Sequence, residues 1–349
     1  MYSIEQIGHL SRLPRAILCD LVTPLQTMPN LANHLGAGEL LIKRDDLTPL
    51  AMGGNKVRQL EFYLGDAVDN QADTIIITGA VQSNFVRLAA ASASKLGMHC
   101  HIQLEERVSK TDADYHNSGN VLLDRLLGAT LHYYPHGEDE AGADANMETI
   151  AAALRQQGQK PYVIHLGPGH PSLGALGYVV AAVELANQFQ QRELQIDALV
   201  VPSGSGATHA GVIFGLRAIG VDIGVVGSCV RRNADVQVER IHNHCASMAS
   251  LVGMENPVAD NDIVLVDEFL APGYGKPGAA AREAIRLAGN KEGLIVDPVY
   301  SSKSLACFIE LARQNPSRRY CFWHTGGAPA VFAYQSEMLS AIESTNSVL

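Results

Sequence analysis

Short apolar runs alternate with longer amphipathic stretches along most of this chain. Runs of strand length lie at 39–43 (ELLIK), 73–78 (DTIIIT), 99–104, 130–134, 162–166, 196–202 (IDALVVP), 224–230, 263–266 and 320–324. Several are apolar almost throughout, the pattern of a parallel strand covered on both faces. Between them, apolar spacing predicts helices from the 51–56 turn to about 68, over 85–96, 120–127, 147–157 and 173–188, from 208 to about 219, over 235–252, from the 271–277 loop to about 287, and from about 303. A short helix is also predicted to end near Gly36, after turns at Thr23-Pro24-Leu25 and Met28-Pro29-Asn30. The acidic segment 135–146 (PHGEDEAGADAN) reads as an exposed loop. Strands alternating with helices predict an α/β fold with largely parallel sheets. No fixed-period repeat or low-complexity segment interrupts the pattern.

Composition narrows the function classes. At 349 residues the chain exceeds one small core, which predicts one large or two intertwined domains. Hydrophobic residues make up 47% and charged residues 18%, a globular balance. The net charge of −10 argues against nucleic acid as a partner, because phosphate binding needs a basic face. No apolar run approaches the ~18 residues of a membrane span. The start, MYSIEQIGHLSRLPR, lacks the apolar centre of a signal peptide, so a cytoplasmic location is expected. The six cysteines are scattered without a C-x-x-C pair, which predicts buried thiols in a reducing compartment. His165, His170 and His209 lie near loops without the spacing of an H-E-x-x-H pair, and no metal is expected. Ser83 and Ser205 lie outside any G-x-S-x-G elbow.

Six stretches carry candidate chemistry. In 51–62 (AMGGNKVRQLEF), Lys56 follows two glycines and an asparagine at a helix start. An amine held there could form a Schiff base with an aldehyde, and a surface lysine at a capped helix fits the same residues. In 203–211 (SGSGATHAG), the strand–loop–helix order points backbone N–H groups at an anion, while the glycine spacing matches neither a Walker loop nor the dinucleotide fingerprint. In 79–84 (GAVQSN), Gln82, Ser83 and Asn84 offer donors for a carboxylate or an ordinary helix cap. Tyr274, Tyr300 and Thr325 sit in loops where a phenol or hydroxyl could meet a ligand or simply pack or cap.

Taken in order, IKRDD (42–46), AMGGNKVRQLEF (51–62), GAVQSN (79–84), GALGY (174–178), SGSGATHAG (203–211), APGYGKP (271–277), DPVY (297–300) and HTGGAPA (324–330) resemble the pyridoxal-phosphate enzymes grouped as D-cysteine desulfhydrase and 1-aminocyclopropane-1-carboxylate deaminase. The resemblance runs over about residues 12–335. It implies a type II pyridoxal-phosphate fold, like the tryptophan synthase β chain, with two α/β domains: 1–53 with 172–349 as the large cofactor-binding domain, and 54–171 inserted as the small one. It implies pyridoxal 5'-phosphate as cofactor and a homodimer. By motif position, Lys56 is the Schiff-base lysine, and Ser203, Gly204, Ser205, Gly206, Ala207 and Thr208 hold the cofactor phosphate. Asn84 faces the ring hydroxyl and Thr325 the pyridine nitrogen. Ser83 and Gln82 take the substrate carboxylate, and Tyr274 and Tyr300 flank the substrate. The implied chemistry is β-elimination from a small amino acid, with Lys56 removing a proton and pyruvate and ammonia released.

Within the family, the deaminases carry glutamate directly after the DPVY-like tyrosine, where this chain has Ser301. A neutral hydroxyl leaves the electron sink shallower, which suits β-elimination better than ring opening. D-Cysteine is therefore the expected substrate. Phe85 replaces the histidine usual after Gln-Ser-Asn, Gln59 replaces a lysine common in its helix, and the loop 166–178 differs from the family's. The segment 118–130 also resembles L-cysteate sulfo-lyases, whose substrate would need a second anion site from Arg87, His165 or His170. A non-catalytic amino-acid or phosphate binder is the alternative from another class.

Overall fold

Strands form where the apolar runs predict them, and the computed structural model describes residues 1–167 and 169–343. They are β1 (Leu25–Thr27), β2 (Leu40–Arg44), β3 (Thr74–Ala80), β4 (His99–Glu105), β5 (Thr130–Tyr134), β6 (Pro161–Ile164), β7 (Ala198–Ser203), β8 (Gly224–Cys229), β9 (Val264–Val266) and β10 (Tyr320–His324). Six form one sheet in the order β1-β2-β10-β7-β8-β9, and four form another in the order β5-β4-β3-β6. The four-stranded sheet is thus built from chain lying between β2 and β7 of the larger one. Among the described residues β1 with β2 is antiparallel, and every other pair is parallel. Every residue of β3, β7 and β10 is buried, as their uninterrupted apolar character requires when helices cover both faces.

A buried ion network joins the helix Lys56–Asp69 to the large sheet. Arg58 donates to Asp45 at 3.1 and 3.2 Å and to both oxygens of Glu184 at 2.9 Å. Asp45, which is fully buried, also accepts from Thr23 and Tyr178 at 2.6 Å. Lys43 Nζ, from β2, reaches Glu184 and the Thr23 carbonyl. Burial pushes the Asp45 carboxyl up, but the charges of Arg58 and Lys43 outweigh it and hold the group down at about 2. This explains the spacing of IKRDD: Lys43 points back into the core, and Asp45 turns under the next helix.

Close helix contacts explain GALGY. A Cβ on Gly174 would lie 2.5 Å from the Tyr63 ring, and one on Gly177 2.0 Å from the Arg58 carbonyl oxygen. Helix Leu173–Gln191 therefore packs directly on the backbone of helix Lys56–Asp69.

Several elements differ from the sequence expectation. Residues 140–146 are not loop but the opening turns of helix Glu140–Gln156, capped by Asp139, which accepts from the Gly142 N–H at 2.9 Å. Glu140 there is neutralised by Arg231, Arg232 and Arg240, partners remote in sequence. Helix Ala279–Glu292 runs past the expected end near 287, to a left-handed Gly293. The expected turn at 23–25 leads into β1, which is too short to show a period. Helices Ala113–Asn117, Ala330–Ala333 and Gln335–Glu343 had no sequence counterpart.

Removing Arg58 leaves two carboxylates short of a partner in low dielectric. Arg58→Met is expected to destabilise the protein by about 3–5 kcal/mol in urea unfolding. Because the Asp45 pKa is depressed in the fold, its contribution is complete above about 4 and is lost as pH falls toward about 2. Asp45→Asn should flatten the loss of stability over that window, measured by unfolding at stepped pH.

Candidate active site

The C-terminal ends of β3, β7 and β10 converge on one cavity, the usual ligand position in open α/β sheets. The segment that leads into Lys56 has an unusual conformation: Ala51, Met52, Gly53 and Gly54 all have positive φ, at 40°, 65°, 65° and 122°. Such backbone persists only where its surroundings hold it. Arg87, fully buried, donates to the Gly53 carbonyl at 3.0 Å and to that of Ala51. Thr48 Oγ1 accepts from the Gly54 N–H at 2.8 Å, and the Asn55 N–H donates to the Thr325 carbonyl at 2.9 Å. A Cβ on Gly326 would lie 2.7 Å from the Gly54 Cα, so two glycines let this loop touch the end of β10.

These contacts place Lys56 at the first turn of its helix with its amine in the cavity. Nζ donates to Gln59 Oε1 at 2.9 Å and stands 5.0 Å from the Phe85 ring centroid. No carboxylate pairs with it among the described residues. Loss of water pulls its pKa down to about 8, so the amine is half neutral near pH 8, where an ordinary lysine is almost wholly charged.

The opposite wall holds the start of helix Ala207–Ala218. Gly206 is its left-handed N-cap, at φ 97°, and no side chain caps the first turn. The first N–H groups of a helix lack intrahelical acceptors, and the dipole makes this end positive. Gly204, Ser205, Gly206, Ala207 and Thr208 all line the cavity here. Thr208 Oγ1 accepts from Asn55 and from Gln59, each at 2.8 Å. Gln59 therefore joins the Lys56 amine to the anion loop through one amide. His244 Nε2 lies 3.0 Å from the Ser205 carbonyl oxygen, and burial lowers its pKa to about 4, so it bonds there as a neutral ring.

Of the remaining sequence candidates, Ser83, Asn84, Tyr274, Tyr300 and Thr325 also line the cavity. Ser83 Oγ caps helix Asn84–Lys95, accepting from Phe85 N–H at 3.2 Å. Asn84 Oδ1 accepts from Asn120 at 3.1 Å and from Arg87 at 3.4 Å, which leaves its amide N–H groups free of these bonds. The hydroxyls of Tyr274 and Tyr300 bond to each other. Burial first, and then Tyr274, raise the Tyr300 pKa, so this phenol keeps its proton. Two candidates stand apart from the cavity wall. Gln82 spends its amide on the carbonyls of Tyr115 and Ser118, at 2.7 and 3.0 Å, and accepts from the Asn120 N–H at 2.8 Å. Ser203 is fully buried and accepts from Gln237 at 2.9 Å.

Arg87 is likewise committed to the 51–53 loop rather than to a second anion. His165 and His170 are on the wall but face Asp144. Pro168, in the same loop, lies outside the described residues. Sequence reading missed Arg107, Arg231 and Arg240 on the cavity wall; the Arg231-Arg232 pair after a strand was the one visible signal.

Comparison with known proteins agrees with this geometry. The family described as pyridoxal-phosphate dependent enzyme matches residues 18–326. D-cysteine desulfhydrase of Salmonella typhi is 42% identical over 331 residues, covering 94% of this chain and 98% of that protein. The protein of the same name from Salmonella newport (strain SL254) matches equally, at 42% over 331 residues. A solved structure described as an ACC deaminase homologue superposes with a TM-score of 0.86 at 36% identity, covering 98% of this chain and all of that one. Escherichia coli diaminopropionate ammonia lyase in apo form, at 15% identity and a TM-score of 0.64 over 96% of this chain and 91% of that one, shares the fold alone. The chain belongs to the pyridoxal-phosphate dependent enzyme family and has its type II fold.

Proposed function

We propose that this protein catalyses β-elimination on D-cysteine, releasing pyruvate, ammonia and hydrogen sulfide. The observation that carries the reading is the pairing, across one cavity, of a desolvated lysine amine with an uncapped helix start. That pairing suits pyridoxal 5'-phosphate at both ends. The loop Gly204–Thr208 would hold its phosphate, with Ser203 fixing the loop from behind. Lys56 would hold the aldehyde carbon, Asn84 the ring hydroxyl and Thr325 the ring nitrogen. When bound, the cofactor supplies an electron sink for charge developing at the substrate α-carbon.

The chain's own residues supply the rest. Lys56, neutral in good part near pH 8, takes the α-proton. Ser83 and Asn84, at the start of helix Asn84–Lys95, orient the substrate carboxylate with the help of the helix dipole. Tyr300, which keeps its proton and is bonded to Tyr274, would donate to the departing sulfur. Ser301 gives its hydroxyl to the Gly326 carbonyl at 2.7 Å and brings no acid to the ring nitrogen, which favours elimination over ring opening. In the same reading, residues 1–53 and 172–349 act as the cofactor-holding domain and 54–171 as the inserted one, and the enzyme works as a cytoplasmic homodimer. Support for a reducing location comes from its six cysteines, all free and buried.

Pyruvate release should be compared for D-cysteine, L-cysteate, D-serine and 1-aminocyclopropane-1-carboxylate. D-Cysteine is expected to be fastest; turnover of the last alone would overturn the argument from Ser301. Lys56→Ala should abolish both turnover and the visible absorbance of the bound cofactor. Tyr300→Phe is expected to lower kcat by roughly 10²-fold or more while cofactor binding is kept; equal loss of both would remove its catalytic role. In cofactor-free protein, modification of Lys56 by an amine reagent should follow a pKa of about 8, and a midpoint near the ordinary ~10.4 would refute desolvation as the activating device.

A further inference from the structure

His165 and His170 flank the turn that leads from β6 to helix Leu173–Gln191, and Asp144 and Glu148 face them from successive turns of helix Glu140–Gln156. The two imidazoles stack with centroids 3.9 Å apart and planes within 7°. His165 Nδ1 lies 3.5 Å from one Asp144 oxygen, and His170 Nε2 lies 3.6 Å from the other. Both separations are long for hydrogen bonds. His165 Nδ1 is in fact buried without a hydrogen-bond partner.

Those separations match the spacing of ligands around one small cation. Tetrahedral zinc, with bonds of about 2.0–2.1 Å, sets its ligands about 3.3 Å apart. The three candidate donor atoms all fall within 4.8 Å of one another, and a shared ion requires one imidazole to turn out of the stack so that the ion lies in both ring planes. A second observation points the same way. The far nitrogen of His165, Nε2, meets Glu148 Oε1 at 3.1 Å. A carboxylate on the outer nitrogen fixes the tautomer and plane of a metal-bound histidine. The turn is also shaped for the approach: a Cβ on Gly167 would lie 2.6 Å from Asp144 Oδ2, so a glycine is needed where the loop crosses the carboxylate.

We propose that Asp144, His165 and His170 form a binding site for a divalent cation of the zinc class, with Glu148 orienting His165. Two imidazoles and one carboxylate suit zinc or its neighbours, whereas magnesium and calcium favour oxygen ligands. All three ligands line the cavity. The site stands independently of the proposed reaction.

The test is zinc binding to the untagged holoenzyme, by calorimetry and by equilibrium dialysis with metal analysis. One equivalent per chain is expected, undisturbed by excess magnesium; the buried cysteines offer no competing thiols. His170→Ala and His165→Ala should each weaken binding by tenfold or more, and Glu148→Gln by about 10–100-fold. Retained cofactor absorbance and an unchanged circular dichroism spectrum identify folded variants, and the partly exposed His170 is the substitution least able to disturb the fold. No zinc bound to the parent protein, or unchanged binding in His170→Ala, would overturn the proposal and leave a histidine–carboxylate ion pair only.

Discussion

The buried charge network beneath Lys56 constrains the rest of the structure. Arg58 cannot leave the core without stranding Asp45 and leaving Glu184 with Lys43 alone. This fixes the first turn of helix Lys56–Asp69 against β2 and helix Leu173–Gln191. The glycines at 174 and 177 then bring the two helices into backbone contact. The position of one lysine at the cavity is thus decided two residues later, on the opposite face of its helix.

The loop before the helix shows how such a constraint reaches the site. Residues 51–54 adopt backbone that side chains disfavour, and Arg87, Thr48 and the end of β10 hold them there. Arg87 itself is desolvated, which lowers its pKa to about 10, a shift that the nearby Asp124 offsets in part. The small sheet, through the helix that follows β3, thereby grips the segment that enters the large sheet's cavity. Lys56 gains its lowered pKa from the same closure, because the walls that position it also exclude water.

The anion end works by a different principle. Among the described residues, no lysine or arginine side chain hydrogen-bonds Thr208; its hydroxyl is held by two neutral amides, Asn55 and Gln59, in front of an uncapped helix start. In the proposed reading, backbone N–H groups and a fixed dipole would provide the attraction for the cofactor phosphate, with no side-chain entropy lost on binding. Gln59, which departs from the lysine common in the family, is compatible with this because it gives geometry instead of charge.

The sequence by itself determined the alternation of strands and helices, the runs at 73–78, 196–202 and 320–324, and the motifs around Lys56, Ser83–Asn84 and 203–208. These were legible because a doubly covered strand must be apolar throughout and a close backbone turn needs glycine. Tertiary structure alone decided which polar residues serve the cavity and which serve the frame. Gln82 and Ser203 sit inside strong motifs yet bond to buried neighbours, while Gln59 and His244 reach the anion loop from far along the chain. The segment 140–146 looked like a solvated loop because its neutralising arginines lie about ninety to one hundred residues away. Local pattern reports backbone period and burial, both short-range properties. A charge or hydroxyl takes its role from partners that only the fold brings within about 3 Å.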